Sequence, residues 1–364
     1  MIDAAITHAF RGRRVLVTGH TGFKGSWLAL WLQGLGAQVT GYSLGVPTTP
    51  SHFAAAGIAE LLARHHDADI RDADRLAAVI DHESPDVIFH LAAQALVLAS
   101  YAAPRETFDT NVMGTVNVLD AVRRRAKPCV VIVVTSDKCY APGAPDGGHR
   151  EGDSLGGRDP YSASKGAAEI VAAAYRDSFF TGPASGIKVA CARAGNVIGG
   201  GDWAQDRIVV DAITHLARGQ AIPVRFPAAV RPWQHVLEPI SGYLLLAARL
   251  LATDDPKLCS AWNFGPLPGS DITVQNLVEK ILHHWGRGSW LHTGETTAPR
   301  ETATLRLNVD KAISTLGWRP QWDIDQTVAR TIGWYRTFAE HPHQSMRAHS
   351  LADIAAYTAA EDSR

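Results

Sequence analysis

The chain has 364 residues, of which 46% are apolar and 20% are charged, a composition typical of folded globular proteins that excludes a disordered chain. Its 35 Lys and Arg residues balance 36 Asp and Glu residues, so no net basic charge attracts nucleic acid or an anionic membrane. The four cysteines form no CxxC pair and the 16 histidines no HExxH motif, so we expect neither a disulfide framework nor a metal site. No signal peptide or membrane-spanning run is visible, so we expect a cytoplasmic protein without a nucleic-acid or membrane partner.

Strands and helices alternate along the first half of the chain. An apolar, β-branched segment at residues 14–18 runs into glycines and is followed by a helical pattern. The pattern then predicts strands at 38–44, 86–91, 129–135 and 188–193, a short strand ending at residue 70, and helices at 72–82, 104–125 and 159–180. This alternation predicts an α/β fold of the Rossmann type, a doubly wound parallel sheet covered by helices on both faces.

The alternation stops after about Asn196, where loops become rich in Gly, Pro and Trp. Helices are predicted at 238–251, 274–285 and 310–316 among short strands. We therefore expect residues 1–195 to form a dinucleotide-binding domain, to which later elements return. Residues 196–340 are expected to form mainly a smaller substrate-binding lobe, and residues 341–364 a tail without an assigned role.

A glycine-rich turn follows the first strand, with Gly19, Gly22 and Gly25 in the spacing GxxGxxG. Glycines let the backbone approach a pyrophosphate, and the N-terminus of the next helix offers N–H groups and the positive end of its dipole. We therefore predict a dinucleotide site at this turn. The expected cofactor-binding residues are Gly19, Thr21, Gly22, Phe23, Lys24, Gly25, Asp69, Ile70, Ala92, Ala93, Gln94, Asn111, Tyr161 and Lys165.

The end of the second strand, Gly41-Tyr42-Ser43-Leu44, carries neither of the residues that select between the two nicotinamide dinucleotides. An acid there would bind the ribose hydroxyls of NAD, and an arginine nearby would favour NADP. The residues themselves therefore leave NAD and NADP open.

Tyr161 and Lys165 are four residues apart on a predicted helix, which places both side chains on one face. A lysine ammonium beside a tyrosine and a cationic nicotinamide nearby favour the phenolate, so we expect the pKa of Tyr161 to be lowered from its usual value near ~10. The pair follows a strand that ends at Thr135-Ser136, at the sheet edge where open α/β sheets bind ligands. This arrangement predicts hydride chemistry with Tyr161 as the acid/base group.

Ser136, Asp137 and Lys138 follow the same strand directly. A hydroxyl, an acid and an ammonium are more than a simple reductase requires. We interpret them as a second acid/base pair beside the first, with pKa values that the surroundings displace.

The glycine spacing and the Tyr161–Lys165 pair resemble the extended short-chain dehydrogenase/reductase family. Within it, the chain is similar to the nucleotide-sugar 4,6-dehydratases that act on CDP-glucose, over a stretch from about Arg14 to about Tyr335. Other sugar-nucleotide 4,6-dehydratases usually carry Asp-Glu where this chain has Asp137-Lys138. The runs that carry the resemblance are VTGHTGFKGSWL, NVMGT, TSDKCY, DPYSASKG, RAGNVIGGGDW, RPWQHVLEP and WNFGP.

The resemblance implies NAD as the cofactor and a net dehydration as the reaction. Tyr161 would take the proton of the sugar 4-hydroxyl while NAD takes the hydride of C4, Lys165 would hold the nicotinamide ribose, and Ser136 would bond to the 4-oxygen. Lys138 would then remove the C5 proton, Asp137 would protonate the departing C6 hydroxyl, and the hydride would return to C6. The product would be a 4-keto-6-deoxy sugar for deoxysugar biosynthesis.

The resemblance also implies a nucleotide-sugar substrate and residues that hold its nucleotide and diphosphate. These are Asn196, Arg207, Arg231, His235 and Arg300. The chain departs from the branch at Ala95 and Leu98, where proline and arginine are usual, and at residues 141–148, where aromatic residues are expected. The departures flank the site and leave the nucleotide and the sugar open.

Three alternatives remain at this point. A dehydratase for another nucleotide sugar would carry the same residues, whereas a nucleotide-sugar 4-epimerase needs Tyr161 and Lys165 but not Asp137-Lys138. A non-catalytic NAD-sensing regulatory protein would commonly lose the tyrosine that this chain keeps. In relatives, the helices at 104–125 and 159–180 build a four-helix bundle between subunits, so the resemblance implies a homodimer or a dimer of dimers.

Overall fold

The computed structural model describes residues 2–143, 145, 147–182, 185–294 and 305–362. In chain order the strands are β1 (Arg14–Thr18), β2 (Gln38–Ser43), β3 (Arg64–Asp67), β4 (Val87–His90), β5 (Cys129–Val134), β6 (Ile187–Ala194), β7 (Val197–Ile198), β8 (Ile222–Val224), β9 (Val230–Arg231), β10 (Gln234–His235), β11 (Ala261–Phe264), β12 (Ile272–Thr273) and β13 (Trp290–His292). The α-helices are α1 (Ile2–Phe10), α2 (Phe23–Gly34), α3 (His52–Ala55), α4 (Ala73–Glu83), α5 (Val97–Ala102), α6 (Pro104–Phe108), α7 (Gly114–Arg125), α8 (Pro160–Phe179), α9 (Ile208–Ala217), α10 (Leu237–Ala252), α11 (Val274–Trp285), α12 (Ile324–Glu340) and α13 (Arg347–Asp362).

Seven strands form one sheet in the order β11-β6-β5-β4-β1-β2-β3, and all neighbouring strands are parallel. The direction of strand progression reverses between β1 and β4, because β2 and β3 follow on one side and β5 and β6 on the other. A crevice opens at such a reversal, outside the carboxyl ends of the strands. The predicted Rossmann-type fold is therefore confirmed.

Two hydrophobic layers cover the two faces of the sheet. Along β1, Val15 and Val17 point into one layer and Leu16 into the other. Strand β5 follows the same alternation, and every one of its residues is buried. A strand buried on both faces has no polar face to show, which explains the uninterrupted apolar run CVVIVV.

Elements from the second half of the chain complete the sheet. Strand β11 pairs with β6 and forms the edge, with Ala261 opposite Cys191. Helix α10 is buried along most of its length and packs against β5 and β6. The remaining short strands pair outside the main sheet, as β10-β7, β12-β9 and β13-β8.

The C-terminal segment, which the sequence left without a role, forms helix α13 and packs against α1, α2 and α12. Its Tyr357 hydroxyl donates a hydrogen bond of 2.5 Å to Glu238, a fully buried carboxylate on α10. Glu238 also accepts backbone N–H groups of Gln321 and Trp322 at 2.7 to 3.0 Å. None of the helices in the described ranges is both long and apolar enough to span a membrane.

Three predicted elements differ in detail. The helix expected at 310–316 is a π-helical turn, Ala312–Leu316. The helix expected at 104–125 is α6 and α7 joined by a π-helical turn, Asp109–Met113. The third strand ends at Asp67, so Asp69 and Ile70 lie in the following turn. The chain turns there because the Asp69 carboxylate accepts the backbone N–H of Arg71 at 2.9 Å.

Candidate active site

A cavity of about 2110 Å³ lies at the carboxyl ends of the strands. The glycine turn after β1 lines one part of it, and the residues after β5 and the start of α8 line its centre. A third part is lined by the segment after β6, by α9 and by the connection between β8 and β9. The cavity therefore brings the glycine turn, the acid/base residues and the segment after β6 onto one continuous wall.

The glycine turn leaves no room for side chains. Gly19 has a φ of +75°, and a Cβ atom there would lie 2.6 Å from the backbone nitrogen of Ala92. A Cβ on Gly25 would collide with the backbone oxygen of Gly19. Gly22 is the N-cap of α2, and no side chain caps that helix end. The N-terminus of α2 therefore faces the cavity with its N–H groups, which suits a pyrophosphate.

The residues beside the turn extend the cofactor region. Thr21, Phe23 and Lys24 line the cavity, and the Thr21 hydroxyl donates to Ser43 Oγ at 2.9 Å. Burial and the nearby Arg207 lower the pKa of Lys24 to about 8, while Asp137 opposes the shift. The charge of Lys24, beside the glycine turn, therefore interacts with Asp137 and Lys165 among the acid/base residues.

Asp69 and Ile70 also line the cavity, as the sequence predicts. Asp69 is engaged by Arg71, with Nη2 to Oδ2 at 2.6 Å, and this guanidinium lowers the pKa of the carboxyl. Arg71 lines the cavity too and is not among the predicted residues. The spacing Asp69-x-Arg71 is the sequence signal that could have placed Arg71 beside Asp69.

Ala92, Ala93 and Gln94 line the cavity after β4, whereas Asn111 does not reach it. The π-helical turn directs Asn111 behind the wall, where its side chain accepts Gln94 N–H at 2.8 Å and donates to the Gln94 carbonyl at 3.0 Å. It also donates to Ser164 Oγ at 2.8 Å. Asn111 therefore fixes the wall of the cavity at Gln94, and its contact with a cofactor stays a prediction.

Helix α8 holds Tyr161 and Lys165 in place from its first turn. Asp159 is the N-cap, its carboxylate accepting Ser162 N–H at 2.9 Å, and Pro160 occupies the first helical position. The Tyr161 N–H donates to Ser100 Oγ at 3.1 Å. The Lys165 ammonium donates to the carbonyl of Val134, the last residue of β5, at 3.3 Å. Both side chains are buried.

The pKa of Tyr161 moves against the expectation from its spacing to Lys165. Burial raises the pKa of the phenol to about 12, although a hydrogen bond with Ser136 opposes the shift. Burial also lowers the pKa of Lys165 to about 8, opposed by Glu169. In the chain alone, desolvation of the phenolate outweighs the hydrogen bond with Ser136 and the positive charge of Arg207. The lowering of the Tyr161 pKa by Lys165 together with a nicotinamide cation stays a prediction.

Ser136 begins a short turn that holds the second acid/base pair. Its hydroxyl donates to Asp137 Oδ1 at 3.0 Å and accepts Lys138 N–H at 3.2 Å. Burial raises the pKa of Asp137, opposed by Lys138 and Ser136. The carboxyl is therefore displaced toward its protonated form, the direction that the sequence predicts for an acid that donates a proton. A Cβ on Gly195 would lie 3.0 Å from Asp137 Oδ2, so glycine leaves room for that carboxyl.

Glu169, one turn after Lys165, anchors the site from behind. Arg193 on β6 donates to both of its oxygens, at 2.9 and 3.0 Å, and the Thr135 hydroxyl donates to Oε1. Arg193 also donates to the Tyr140 hydroxyl at 2.6 Å, which donates to Asn263 on β11 at 2.8 Å. Glu169 and Arg193 were not among the predicted site residues, although the spacing of Tyr161, Lys165 and Glu169 puts these three on one helix face.

The predicted substrate residues divide into three groups. Asn196, Arg207 and Arg231 line the cavity, and Arg207 forms an ion pair with Asp202 at 2.6 Å. His235 is fully buried, with its ring 4.7 Å from that of Trp322, and it does not line the cavity. Arg300 lies outside the described residues. His235 thus lies in the aromatic packing behind the cavity wall, and its role in substrate binding stays a prediction.

The fold and this site define a dinucleotide-dependent enzyme of the short-chain dehydrogenase/reductase type. The chain belongs to the NAD dependent epimerase/dehydratase family, which matches residues 15–264. It is 47% identical over 334 residues to a CDP-glucose 4,6-dehydratase of Salmonella typhimurium, covering 90% of this chain and 92% of the relative. It is 30% identical over 271 residues to a dTDP-glucose 4,6-dehydratase of Streptomyces antibioticus, covering 74% of this chain and 75% of the relative.

A solved structure shares the architecture over most of the chain. It is a dTDP-glucose 4,6-dehydratase from Streptomyces venezuelae with NAD and TYD bound. The TM-score is 0.75 at 26% sequence identity, and the match covers 89% of this chain and 97% of that one. The family assignment from the sequence motifs is therefore confirmed.

Proposed function

We propose that the chain catalyses the NAD-dependent dehydration of CDP-D-glucose to CDP-4-dehydro-6-deoxy-D-glucose and water. The observation that carries the proposal is the pair Asp137-Lys138, next to Ser136 and beside Tyr161 on the wall of one cavity. A reductase or an epimerase needs a single acid/base group. A dehydratase needs a further base at C5 and an acid at the C6 hydroxyl. The identity to the Salmonella typhimurium enzyme, 47% over 90% of the chain, supports CDP-glucose as the substrate.

The cofactor is NAD, and the residues of the glycine turn fit it. Gly19 and Gly25 permit the tight turn, because a Cβ on either residue would collide with neighbouring backbone atoms. The N-terminus of α2 that follows the turn has no side-chain cap and offers N–H groups for the pyrophosphate. The Streptomyces venezuelae relative binds NAD on the same fold. When bound, NAD supplies the hydride acceptor for C4 and the hydride donor for C6.

Oxidation at C4 requires that a proton leave the 4-hydroxyl. Tyr161 takes that proton, and Ser136, which is hydrogen-bonded with Tyr161, orients the same oxygen. The pKa of Tyr161, about 12 in the chain alone, must fall before the phenolate can act as a base. Lys165 holds the ribose beside it and contributes positive charge.

Elimination of water follows from the acidity that the new ketone gives to C5–H. Lys138 removes the C5 proton, and Asp137 donates a proton to the departing C6 hydroxyl. The raised pKa of Asp137 suits this role, because a carboxyl must carry a proton before it can give one. When C6 receives the hydride that bound NAD would carry, Lys138 returns a proton to C5. The proton that Tyr161 took from the 4-hydroxyl replaces the one that Asp137 gave to the departing water, so the cofactor would end oxidised and the sum is a loss of water.

We also propose that the protein is a cytoplasmic homodimer that joins through α6, α7 and α8. Apolar side chains are exposed on these helices, among them Phe108, Ile170 and Phe179. Burial of such a patch by a second copy removes it from water. The four cysteines are free thiols, as is usual in a reducing compartment.

A substrate panel tests the reaction. The protein is incubated with CDP-, dTDP-, UDP- and GDP-glucose and a catalytic amount of NAD or NADP, and products are followed by mass and by nicotinamide absorbance. We expect CDP-glucose to lose one water with NAD, without growth of NADH. A product of unchanged mass would indicate epimerisation, and NADH formed in proportion to product would contradict a dehydratase.

A further inference from the structure

One end of the cavity carries a carboxylate that the mechanism does not use. Asp211 on α9 lines the cavity one turn after Arg207, the N-cap residue of that helix. Arg225 lines the same region from the end of β8, beside Phe226 and Pro227. We call this region, lined by Asp211, Arg225, Phe226 and Pro227, the base arm.

The Asp211 carboxylate is half-buried, yet it makes no hydrogen bond and no ion pair with another residue in the described part of the chain. The backbone of Asp211 is engaged instead, since its N–H donates to the Arg207 carbonyl at 2.9 Å and its carbonyl accepts from His215 Nδ1 at 2.8 Å. Burial raises the pKa of the carboxyl, and the positive charge of Arg225 opposes the shift. The half-buried Asp211 carboxylate and the Arg225 guanidinium both line the cavity. Together they suit a ligand that carries a hydrogen-bond donor next to a hydrogen-bond acceptor.

The position of the base arm follows from the order of groups in a nucleotide sugar. The hexose must reach Tyr161 and Ser136, and the diphosphate comes next. Arg207 and Arg231 line the cavity and suit phosphate oxygens. The ribose and the base lie beyond the diphosphate, and Asp211 is one helical turn beyond Arg207. We therefore expect the pyrimidine of the substrate to bind at the base arm.

Pyrimidines differ in the pattern of donors and acceptors along one edge. Cytosine presents a donor at N4 and acceptors at N3 and O2, whereas uracil and thymine present an acceptor at O4, a donor at N3 and an acceptor at O2. An ionised carboxylate only accepts, and a guanidinium only donates. A carboxylate therefore suits the N4 donor of cytosine, and a guanidinium beside it suits the N3 and O2 acceptors. In uracil the carboxylate would face O4, which is also an acceptor, so no hydrogen bond could form there.

We propose that Asp211 and Arg225 select the cytosine base, with the Asp211 carboxylate accepting from N4 and the Arg225 guanidinium donating to N3 and O2. The inference rests on the proposed function, because it uses the place of the hexose at Tyr161. It deepens that function by assigning the choice of nucleotide to a pair of residues.

The test compares Asp211→Asn with Asp206→Asn as a matched control. Asp206 also lines the cavity and acts on Asp211 through its charge, and its φ of +62° is a conformation that asparagine adopts readily. Dissociation constants of CDP and UDP are measured by calorimetry, and kcat/KM is measured for CDP-glucose and UDP-glucose. The amide that replaces the carboxylate can donate to O4, so Asp211→Asn should lower the preference for CDP over UDP about 10- to 100-fold. Asp206→Asn should keep the wild-type preference.

A second variant tests the cation. Arg225→Gln should weaken CDP more than UDP, because N3 is an acceptor only in cytosine. The assignment is overturned if the wild-type protein binds CDP and UDP equally, or if Asp211→Asn keeps the wild-type preference. A protein that prefers CDP in binding but does not dehydrate CDP-glucose would overturn the proposed function and leave the base assignment standing.

Discussion

In the proposed reaction Lys138 acts in the elimination of water and not in the oxidation at C4. Lys138→Ala should still oxidise C4 and then stall, leaving bound NADH and a hexose that has not lost water. In deuterated water the variant should fail to exchange the C5 proton. Turnover should fall roughly 100-fold or more, the usual worth of a positioned base.

The Lys138 experiment needs the affinities for NAD and CDP-glucose as a control, since the side chain lines the cavity. Single-turnover absorbance and product mass separate the two steps. A variant that forms the 4-keto-6-deoxy product near the wild-type rate would remove Lys138 from proton transfer at C5.

Sequence spacing identifies which side chains share a surface but not how deeply they are buried. The four-residue interval placed Tyr161 and Lys165 together, and both line the cavity. The direction of the Tyr161 pKa depends on packing by residues distant in sequence, so spacing could not give it. His235 shows the same limit, because only the fold reveals that Trp27 and Trp322 enclose its ring.

At the scale of one element, helix α8 carries Tyr161, Lys165 and Glu169 along a single face. Burial lowers the pKa of Lys165, and the negative charge of Glu169 raises it again. Glu169 in turn forms an ion pair with Arg193. Glu169→Gln removes this support and leaves the Arg193 cation nearby, so the pKa of Lys165 should fall below about 8. Since the ammonium form is needed and is lost as pH rises through its pKa, the alkaline limb of kcat/KM should move to lower pH.

Four titratable groups from different elements interact electrostatically with Lys165. They are Glu169, Cys139, His90 and Lys24. Breaking a buried ion pair costs about 3 to 5 kcal/mol, so the thermal midpoint must be measured beside the pH profile. Glu169→Asp, which keeps the charge, should retain the wild-type alkaline limb. A uniform loss of rate in Glu169→Gln with an unmoved limb would show a structural role only.

The sequence predicts most elements to within a residue or two, because long apolar runs end sharply at glycines and polar residues. Strand β1 matches its prediction, and β5 ends one residue earlier than expected. The π-helical turn at Asp109–Met113 escaped prediction because one widened turn barely disturbs the helical period. Helix α13 was also missed, since an Ala- and His-rich stretch shows its role only through packing against α2 and α10 residues distant in sequence.

At the scale of the whole molecule, the C-terminal helix is tied to the core through one buried carboxylate. Tyr357→Phe removes a donor from Glu238 and should destabilise the protein by about 1 to 3 kcal/mol, the cost of a weakened buried acceptor. Thermal or urea denaturation measures the loss. Tyr175→Phe is the matched control, because the Tyr175 hydroxyl makes no hydrogen bond within the described ranges.

Equal stability of the Tyr357 and Tyr175 variants would show that the hydrogen bond between Tyr357 and Glu238 does not hold α13 in place. Activity serves as a second readout, since α13 lies outside the cavity. We expect Tyr357→Phe to keep the wild-type KM for CDP-glucose at temperatures well below its unfolding midpoint.

The return of β11 to the edge of the sheet has a consequence for biosynthesis. When residues 1–195 have left the ribosome, β6 is an open edge strand with unpaired backbone groups. Open edges invite pairing with other chains. Strand β11 then covers β6 and becomes the edge itself, but with four residues it offers a shorter template than the eight residues of β6. The longer edge stays open during the synthesis of about 70 further residues, up to residue 264. We therefore expect a nascent chain arrested at residue 195 to aggregate more readily than one arrested after residue 264.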